Sequence, residues 1–185
     1  MHRKILILLS LLLISACSIS APADPLPLQP YTDPGGVYQL SLPEGWQVSK
    51  ADQILTFRPG TGAQGEGDLY VSILVAELST DDPEALQTQS SQLFEAFIGQ
   101  HISEEYEVYS RGETKLAGQS ALLIDYARPY AETFLTGRLV LVVLPGYAMA
   151  FFGHAERTAW DDFLPTFKQM VADFQLLSNP GSGSN

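Results

Sequence analysis

The sequence predicts an α+β domain built on one mostly antiparallel sheet of about seven strands, with helices packed against it. Apolar residues alternate with a period of two in several short segments, many of them joined by turns that contain Gly or Pro. Two other stretches repeat apolar residues at helical spacing. The predicted order is β-β-β-α-β-β-β-β-α, an α/β/α sandwich without the strand–helix–strand alternation of nucleotide-binding folds.

Three strands are predicted before the first helix. Residues 37–42 alternate, and the turn at 43–46 that follows them presents Trp46. Residues 54–58 form a second short strand. After a Gly-rich loop, residues 69–78 form a longer strand with two largely apolar faces.

The first helix is predicted to begin at Asp82 and Pro83 and to end near Gly99. Asp82 is the expected N-cap, and Pro83 fits the first helical position, where a missing N–H costs nothing. One face should be buried, because five apolar residues fall at helical spacing: Leu86, Leu93, Phe94, Phe97 and Ile98.

The second half of the domain is predicted to contain four strands and a final helix. Tight turns at Ala117-Gly118 and Pro145-Gly146 indicate antiparallel hairpins. Residues 158–161 resemble a capping box that opens the helix, and Pro165 should kink or restart it. The strands are predicted at 107–114, 120–128, 134–144 and 147–154, and the apolar helical stripe contains Trp160, Phe163, Leu164, Phe167, Met170, Val171 and Phe174.

Both ends of the chain are predicted to lie outside this domain. A basic start at residues 2–4, an apolar run at 5–14 and the small residues Ser15-Ala16 form the layout of a secretory signal. That run is too short to cross a bilayer, which needs roughly 20 apolar residues. The predicted division is a signal peptide over 1–16, a Pro-rich tether over 17–35, the α+β domain over 36–177 and a flexible tail over 178–185.

Cys17 is the only cysteine of the chain, and with Ile14-Ser15-Ala16 it resembles the lipobox of bacterial lipoproteins. The resemblance implies that the thiol takes a diacylglycerol and that Cys17 becomes the N-terminal residue. The alternative is an ordinary signal peptide cut after Ala16 or Ala21. Acylation would protect a thiol that is otherwise open to oxidation outside the cytoplasm. With Ser18 next, the resemblance implies the outer membrane of a two-membrane cell, or the outer face of a single membrane.

Net charge excludes some classes of partner. The chain carries a formal charge of −11, and removal of Arg3 and Lys4 leaves 8 basic against 21 acidic residues, or −13. Nucleic acid is not an expected partner, because phosphate binding needs clustered Lys and Arg. The acidic surface also opposes adsorption to anionic lipids, so membrane attachment should depend on the lipid at Cys17.

No catalytic or metal-binding constellation and no cofactor is predicted. His101 follows a helix end, where a surface role is favoured. His154 lies near Glu156, Arg157 and Asp161 in sequence, a grouping that could bind a metal or act as an acid–base pair. An ordinary loop histidine is preferred, because the two-histidine spacing of metal sites is missing.

Other polar groups have structural explanations. The carboxylate pairs Asp81-Asp82 and Asp161-Asp162 stand at predicted helix starts, and Glu104-Glu105 begins a solvated acidic stretch. The loop at 60–68 lacks the residues of a P-loop or of an EF-hand. Finally, four strand residues could line a surface groove: Tyr126, Tyr130, Tyr147 and Arg128. Packing across the sheet is the preferred interpretation, because aromatic residues on strands commonly pack against residues of neighbouring strands.

Three segments resemble the PsbP-like fold family, which includes DcrB-like envelope lipoproteins and a Ran-binding eukaryotic relative. They are residues 36–46 (Gly-Val-Tyr-Gln-Leu-Ser-Leu-Pro-Glu-Gly-Trp), residues 116–121 (Leu-Ala-Gly-Gln-Ser-Ala), and the aromatic C-terminal helix followed by Phe174-Gln175-Leu176. The resemblance covers nearly all of the domain and implies an accessory or binding protein. No functional residue is carried over, because these segments are structural.

The sequence favours a lipid-anchored accessory protein outside the cytoplasm that binds another envelope protein and is not an enzyme. A small-molecule or lipid-binding module with a cleft between sheet and helices is the alternative. A hydrolase built on His154 is the least favoured hypothesis.

Overall fold

The computed structural model describes residues 23–60, 69–78, 82, 92–100 and 105–177. Within these ranges the chain forms ten strands and two helices. The helices are α1, whose described part is 92–100, and α2 (Arg157–Ala172). The strands are β1 (Leu28–Thr32), β2 (Tyr38–Pro43), β3 (Gln47–Ala51), β4 (Ile54–Arg58), β5 (Tyr70–Glu77), β6 (Glu107–Leu116), β7 (Gln119–Tyr130), β8 (Thr133–Leu144), β9 (Tyr147–Glu156) and β10 (Gln175–Leu176).

The α+β class and the antiparallel sheet are confirmed. Seven strands pair in the order β3-β4-β5-β9-β8-β7-β6, and a smaller sheet has the order β1-β2-β10. Every pairing is antiparallel. The predicted turn between β6 and β7 is tight, with φ of 51° at Ala117 and 79° at Gly118. Two successive positive φ values give the type I′ geometry that suits the twist of a two-residue hairpin.

Strand β1 corrects the predicted tether of residues 17–35. It pairs with β2 over five residues, and Tyr31 packs edge-on against Phe57 at 5.3 Å between ring centroids. Just before it, the amide of Leu26 donates to Thr166 Oγ1 at 2.9 Å. Pro30 is tolerated because β1 is the edge of its sheet, where one missing N–H leaves no neighbouring strand unpaired.

The structure adds β3, which was not predicted, at one edge of the large sheet. All five of its residues are exposed, so it lacks the buried alternation that marks a strand in sequence. Pairing with β4 through the turn at Asp52, where φ is 52°, forms it instead.

Helix α2 differs from the prediction at its start and at Pro165. It begins at Arg157, with Glu156 as N-cap and no side-chain cap hydrogen bond, so the predicted capping box at 158–161 is wrong. Strand β9 runs as far as Glu156, which leaves no loop in which such a cap could form. The helix continues through Pro165 and does not restart. Most of the predicted stripe is buried in it: Trp160, Phe163, Phe167, Met170 and Val171.

The large sheet separates two apolar layers. One lies between the sheet, α2 and the small sheet, and the other lies between the sheet and α1. Trp46 contributes to the first layer by stacking on Phe163 of α2 with ring centroids 5.2 Å apart, so the turn at 43–46 docks on a helix. Neither helix, as far as it is described, is long and apolar enough to cross a membrane.

Several sequence predictions fall outside the described residues. They are the signal peptide at 1–16, the lipidation site Cys17, the helix start at Pro83, His101, most of the loop at 60–68 and the tail at 178–185.

Candidate functional site

His154 lies within a strand, as the predicted strand over 147–154 expects, so the interpretation of it as a loop histidine is wrong. It lies in β9 between Tyr70 of β5 and Gly137 of β8, and its exposed fraction is 0%. Strand β9 reaches this far because both neighbouring strands continue beside it. The charged residues that are near it in sequence are exposed and do not share its environment: Glu156, Arg157 and Asp161.

Hydrogen bonds fix the protonation of the His154 ring. Arginine can only donate, so Arg128 Nη2, 3.2 Å from His154 Nε2, donates to that nitrogen. We therefore assign the ring proton to Nδ1, which lies 3.2 Å from the hydroxyl oxygen of Tyr126 and donates to it. The Tyr126 hydroxyl in turn donates to the carbonyl of Gly153 at 3.3 Å. Both ring nitrogens are thus engaged.

The environment of His154 keeps the ring neutral. Burial, followed by the charges of Arg128 and Arg58, lowers the pKa of His154 to about 3. The ring of Tyr70 packs against the imidazole with centroids 4.2 Å apart. Burial also raises the pKa of the Tyr126 hydroxyl well above its usual value. Neither group is suited to exchange protons at neutral pH.

A glycine makes room for this cluster. A Cβ on Gly137 would lie 2.3 Å from the carbonyl oxygen of Gly153, 2.6 Å from His154 Cβ and 2.7 Å from the Tyr126 hydroxyl. The close approach of β8 to these groups therefore requires glycine at this position.

The three tyrosines considered as a groove do not form one. Tyr126 is fully buried on the α1 side of the sheet, and Tyr147 belongs to the core on the α2 side. Tyr130 is 39% exposed at the β7–β8 turn, where the guanidinium of Arg128 lies 5.6 Å from its ring centroid. The preference for packing is confirmed for Tyr126 and Tyr147. Within the described ranges no cluster of His, Cys, Asp or Glu could hold a metal ion.

A groove lies on the α2 side between α2 and the β6–β7 hairpin, with a volume of about 630 Å³. This volume lies in the range of small-molecule sites. Its floor is apolar and consists of Leu123, Val140, Phe167 and Val171. We call it the α2 groove. It exists because the seven-stranded sheet extends beyond α2, so that the outer strands β6 and β7 are only partly covered.

Basic residues line the α2 groove. Lys115, Arg138 and Lys168 are among its eleven lining residues, and none of the eleven is acidic. Arg138 is held by Asp125 through two hydrogen bonds of 2.6 and 2.9 Å. Their side chains are 14% and 13% exposed, so water screens this ion pair only weakly. The sequence analysis offers a cleft between sheet and helices as an alternative, but it does not predict the residues that line this groove or the Asp125–Arg138 ion pair.

Two aromatic side chains project on the same side of the sheet, near the start of α2. Phe134 is 60% exposed and lies on the same face of β8 as Thr136 and Arg138. Tyr109 is 55% exposed and sits at a β-bulge in β6. Burial raises the pKa of Tyr109, and the nearby carboxylate of Asp125 raises it further. We call Tyr109 and Phe134 the aromatic patch.

Comparison with solved structures identifies the fold. The solution structure of cyanobacterial PsbP (CyanoP) from Synechocystis sp. PCC 6803 matches with a TM-score of 0.61, over 88% of this chain and 98% of that chain, at 16% identity. The protein therefore has the PsbP-like fold, as its sequence segments predicted.

Two other solved structures share this architecture. LpqN, described as involved in cell envelope biogenesis of Mycobacterium tuberculosis, matches with a TM-score of 0.57 at 12% identity, over 82% of this chain and 91% of that one. The Saccharomyces cerevisiae Ran-binding protein Mog1p matches with a TM-score of 0.54 at 12% identity, over 83% and 97%. No family model and no curated protein sequence matches the chain. At these identities the likeness concerns the fold alone.

Proposed function

We propose that this protein is a lipid-anchored accessory domain outside the cytoplasm that binds another protein of the cell envelope and catalyses no reaction. The anchor is Cys17, which stands at the end of the predicted signal peptide. Acylation with two or more chains gives stable attachment, whereas one chain binds only marginally. The membrane is therefore one partner, through this lipid, and an envelope protein is the other. LpqN, a protein of the same fold, supports a role in the envelope.

The chemistry of the described residues supports a binding role. His154, the only described histidine, is buried and neutral, and both of its nitrogens are hydrogen-bonded. Nucleophilic catalysis needs a base that can reach a nucleophile and a substrate. A histidine sealed inside the sheet meets neither requirement.

The observation that carries the proposal is the aromatic patch. Large exposed aromatics are common anchors in protein interfaces, because they bury a large area at a small cost in conformational entropy. Here Tyr109 projects from β6 close to the Asp125–Arg138 ion pair, which joins β7 to β8. Phe134 projects from β8, four residues before Arg138. The strongly acidic remainder of the surface favours a partner with a basic rim around an apolar centre.

Cross-linking and co-purification from gently solubilised membranes test the proposal. The wild type should recover an envelope protein, and the double variant Tyr109→Ser/Phe134→Ser should recover at least tenfold less of it. Val48→Ser is a matched control, since Val48 is 41% exposed on β3 at the other edge of the sheet. Recovery of no partner by the wild type, or equal recovery by the double variant, would contradict the proposal.

A second candidate function is favoured by the α2 groove. Its volume and apolar floor fit a small molecule or a lipid, and binding such a ligand requires no catalytic step and no cofactor. A ligand that binds only the folded state must raise the melting temperature, so thermal-shift screening tests it.

A further inference from the structure

The α2 groove combines an apolar floor with basic lining residues. Val140, Phe167 and Val171 are at most 8% exposed and form a packed base, on which Leu123 presents a more accessible apolar surface. The exposed residues Lys168 and Ala172 follow one another along the α2 wall at a spacing of one helical turn. A molecule lying along this floor can therefore place a polar end beside Lys168.

The charge of the groove contrasts with that of the chain. Acidic residues outnumber basic ones by 21 to 10 in the whole sequence, yet the residues lining the groove include three bases and no acid. Arg138 is balanced by Asp125, but two hydrogen bonds to that carboxylate leave three of its five N–H groups for another acceptor. Lys168 is the exposed ammonium closest along α2 to the apolar floor. Such a site complements an anion attached to an apolar body.

The helix that forms one wall of the groove is also tied to the segment that leads toward Cys17. Leu26 bonds to Thr166 on α2, and Thr166 directly precedes the floor residue Phe167. Between Cys17 and residue 23, where the described chain begins, there are six residue steps. A fully extended chain of that length spans about 20 Å. An acylated Cys17 would therefore hold residue 23 within about 20 Å of the bilayer surface.

We infer that the α2 groove binds a single-chain anionic amphiphile, a fatty acid carboxylate. Its alkyl chain lies on Leu123 and Val171, and its carboxylate accepts hydrogen bonds from Lys168 and Arg138. This inference rests on the second candidate function, ligand binding in the groove, and adds the chemical class of the ligand.

Titration calorimetry with decanoate and with its neutral counterpart decanol tests the inference. The protein is the full mature chain with Cys17→Ala, so that no acyl chain of its own competes. Decanoate should bind, and Lys168→Glu should weaken its binding roughly tenfold or more, as expected when a charge-assisted hydrogen bond becomes a repulsion. Decanol binding should change little in this variant. Lys50→Glu makes the same charge change on β3, at the opposite edge of the sheet, and should leave both ligands unaffected.

Ala172→Trp fills the groove from an exposed helix position and should abolish binding of both ligands while the melting temperature stays near that of the parent. If decanol binds as tightly as decanoate and Lys168→Glu changes neither, ligand binding stands but the anionic class is overturned. If neither ligand binds, or if Ala172→Trp leaves binding intact, the groove is not the site and both the inference and the second candidate function fail.

Discussion

The hydroxyl of Tyr126 and Nδ1 of His154 lie 3.2 Å apart at the centre of a buried hydrogen-bond chain that runs from Arg128 to the carbonyl of Gly153. Every ring nitrogen in this chain has one assigned role. The effect of this chain is structural, because it supplies hydrogen-bond partners for the side chain of His154, which is buried in the sheet between β5 and β8.

The buried His154 predicts a specific pH dependence of stability. An unfolded histidine has a pKa near 6.5, and burial and two arginines lower the folded value to about 3. Between these values the unfolded state binds more protons, so the stability contributed by neutral His154 is complete above pH 6.5 and is lost as the pH falls toward 3. The loss should reach about 2 kcal/mol between pH 7 and pH 5.

Urea unfolding of the wild type and of His154→Gln at both pH values measures this term. The variant is less stable at pH 7 but lacks the titratable ring, so its stability should fall less on acidification. Carboxylates titrate in both proteins and cancel in the difference. Parallel losses in the two proteins would show that His154 does not titrate as described.

Gly137 should tolerate no side chain. Gly137→Ala forces a Cβ against the Gly153 carbonyl and the Tyr126 hydroxyl, and overpacking of this kind costs ~1–3 kcal/mol or more. Gly112→Ala on β6 is the matched control, because a Cβ there meets nothing within 4 Å and φ is not positive. The control should be neutral or stabilise by about 0.5 kcal/mol. Denaturation midpoints that are equal for the two variants would refute the close approach of β8 to β9.

The Asp125–Arg138 pair should show strong coupling. Each side chain is largely buried, so removing one partner leaves a poorly solvated charge, and we expect Asp125→Asn and Arg138→Gln each to cost ~2–3 kcal/mol. The double variant should cost clearly less than the two single losses together, with a coupling energy of at least ~1 kcal/mol. A double-mutant cycle measures this quantity. Additive losses would mean that the two bonds contribute no net stability.

Sequence patterns predicted the elements that bury an alternating or helical face, and missed those that depend on their neighbours. The prolines of residues 17–35 predict a tether and hide strand β1, in which Pro30 is acceptable only because of the strand's edge position. Strand β3 has no buried residue, so no apolar period could reveal it. The predicted last strand ends at His154, whereas pairing with β8 extends β9 to Glu156, an extent that local composition does not encode.

The candidate site was harder to predict than the fold. The two-residue turn at Ala131-Glu132 puts Asp125 opposite Arg138, but Ala-Glu is not a typical hairpin turn, so the register was not visible. The α2 groove depends on the width of the sheet relative to a single helix. No local sequence pattern encodes how far the sheet extends beyond the helix. The residues that line the groove have the sequence features of ordinary strand and helix residues.

Attachment through Cys17 is tested most directly by growing cells with labelled palmitate and recovering the protein from membrane and soluble fractions. The wild type should carry the label, fractionate with membranes and lack residues 1–16. Cys17→Ala should carry no label and should lose membrane attachment while keeping the same folded domain. An unlabelled wild type, or a Cys17→Ala protein that remains membrane-bound to the same extent, would contradict a lipid-anchored accessory domain.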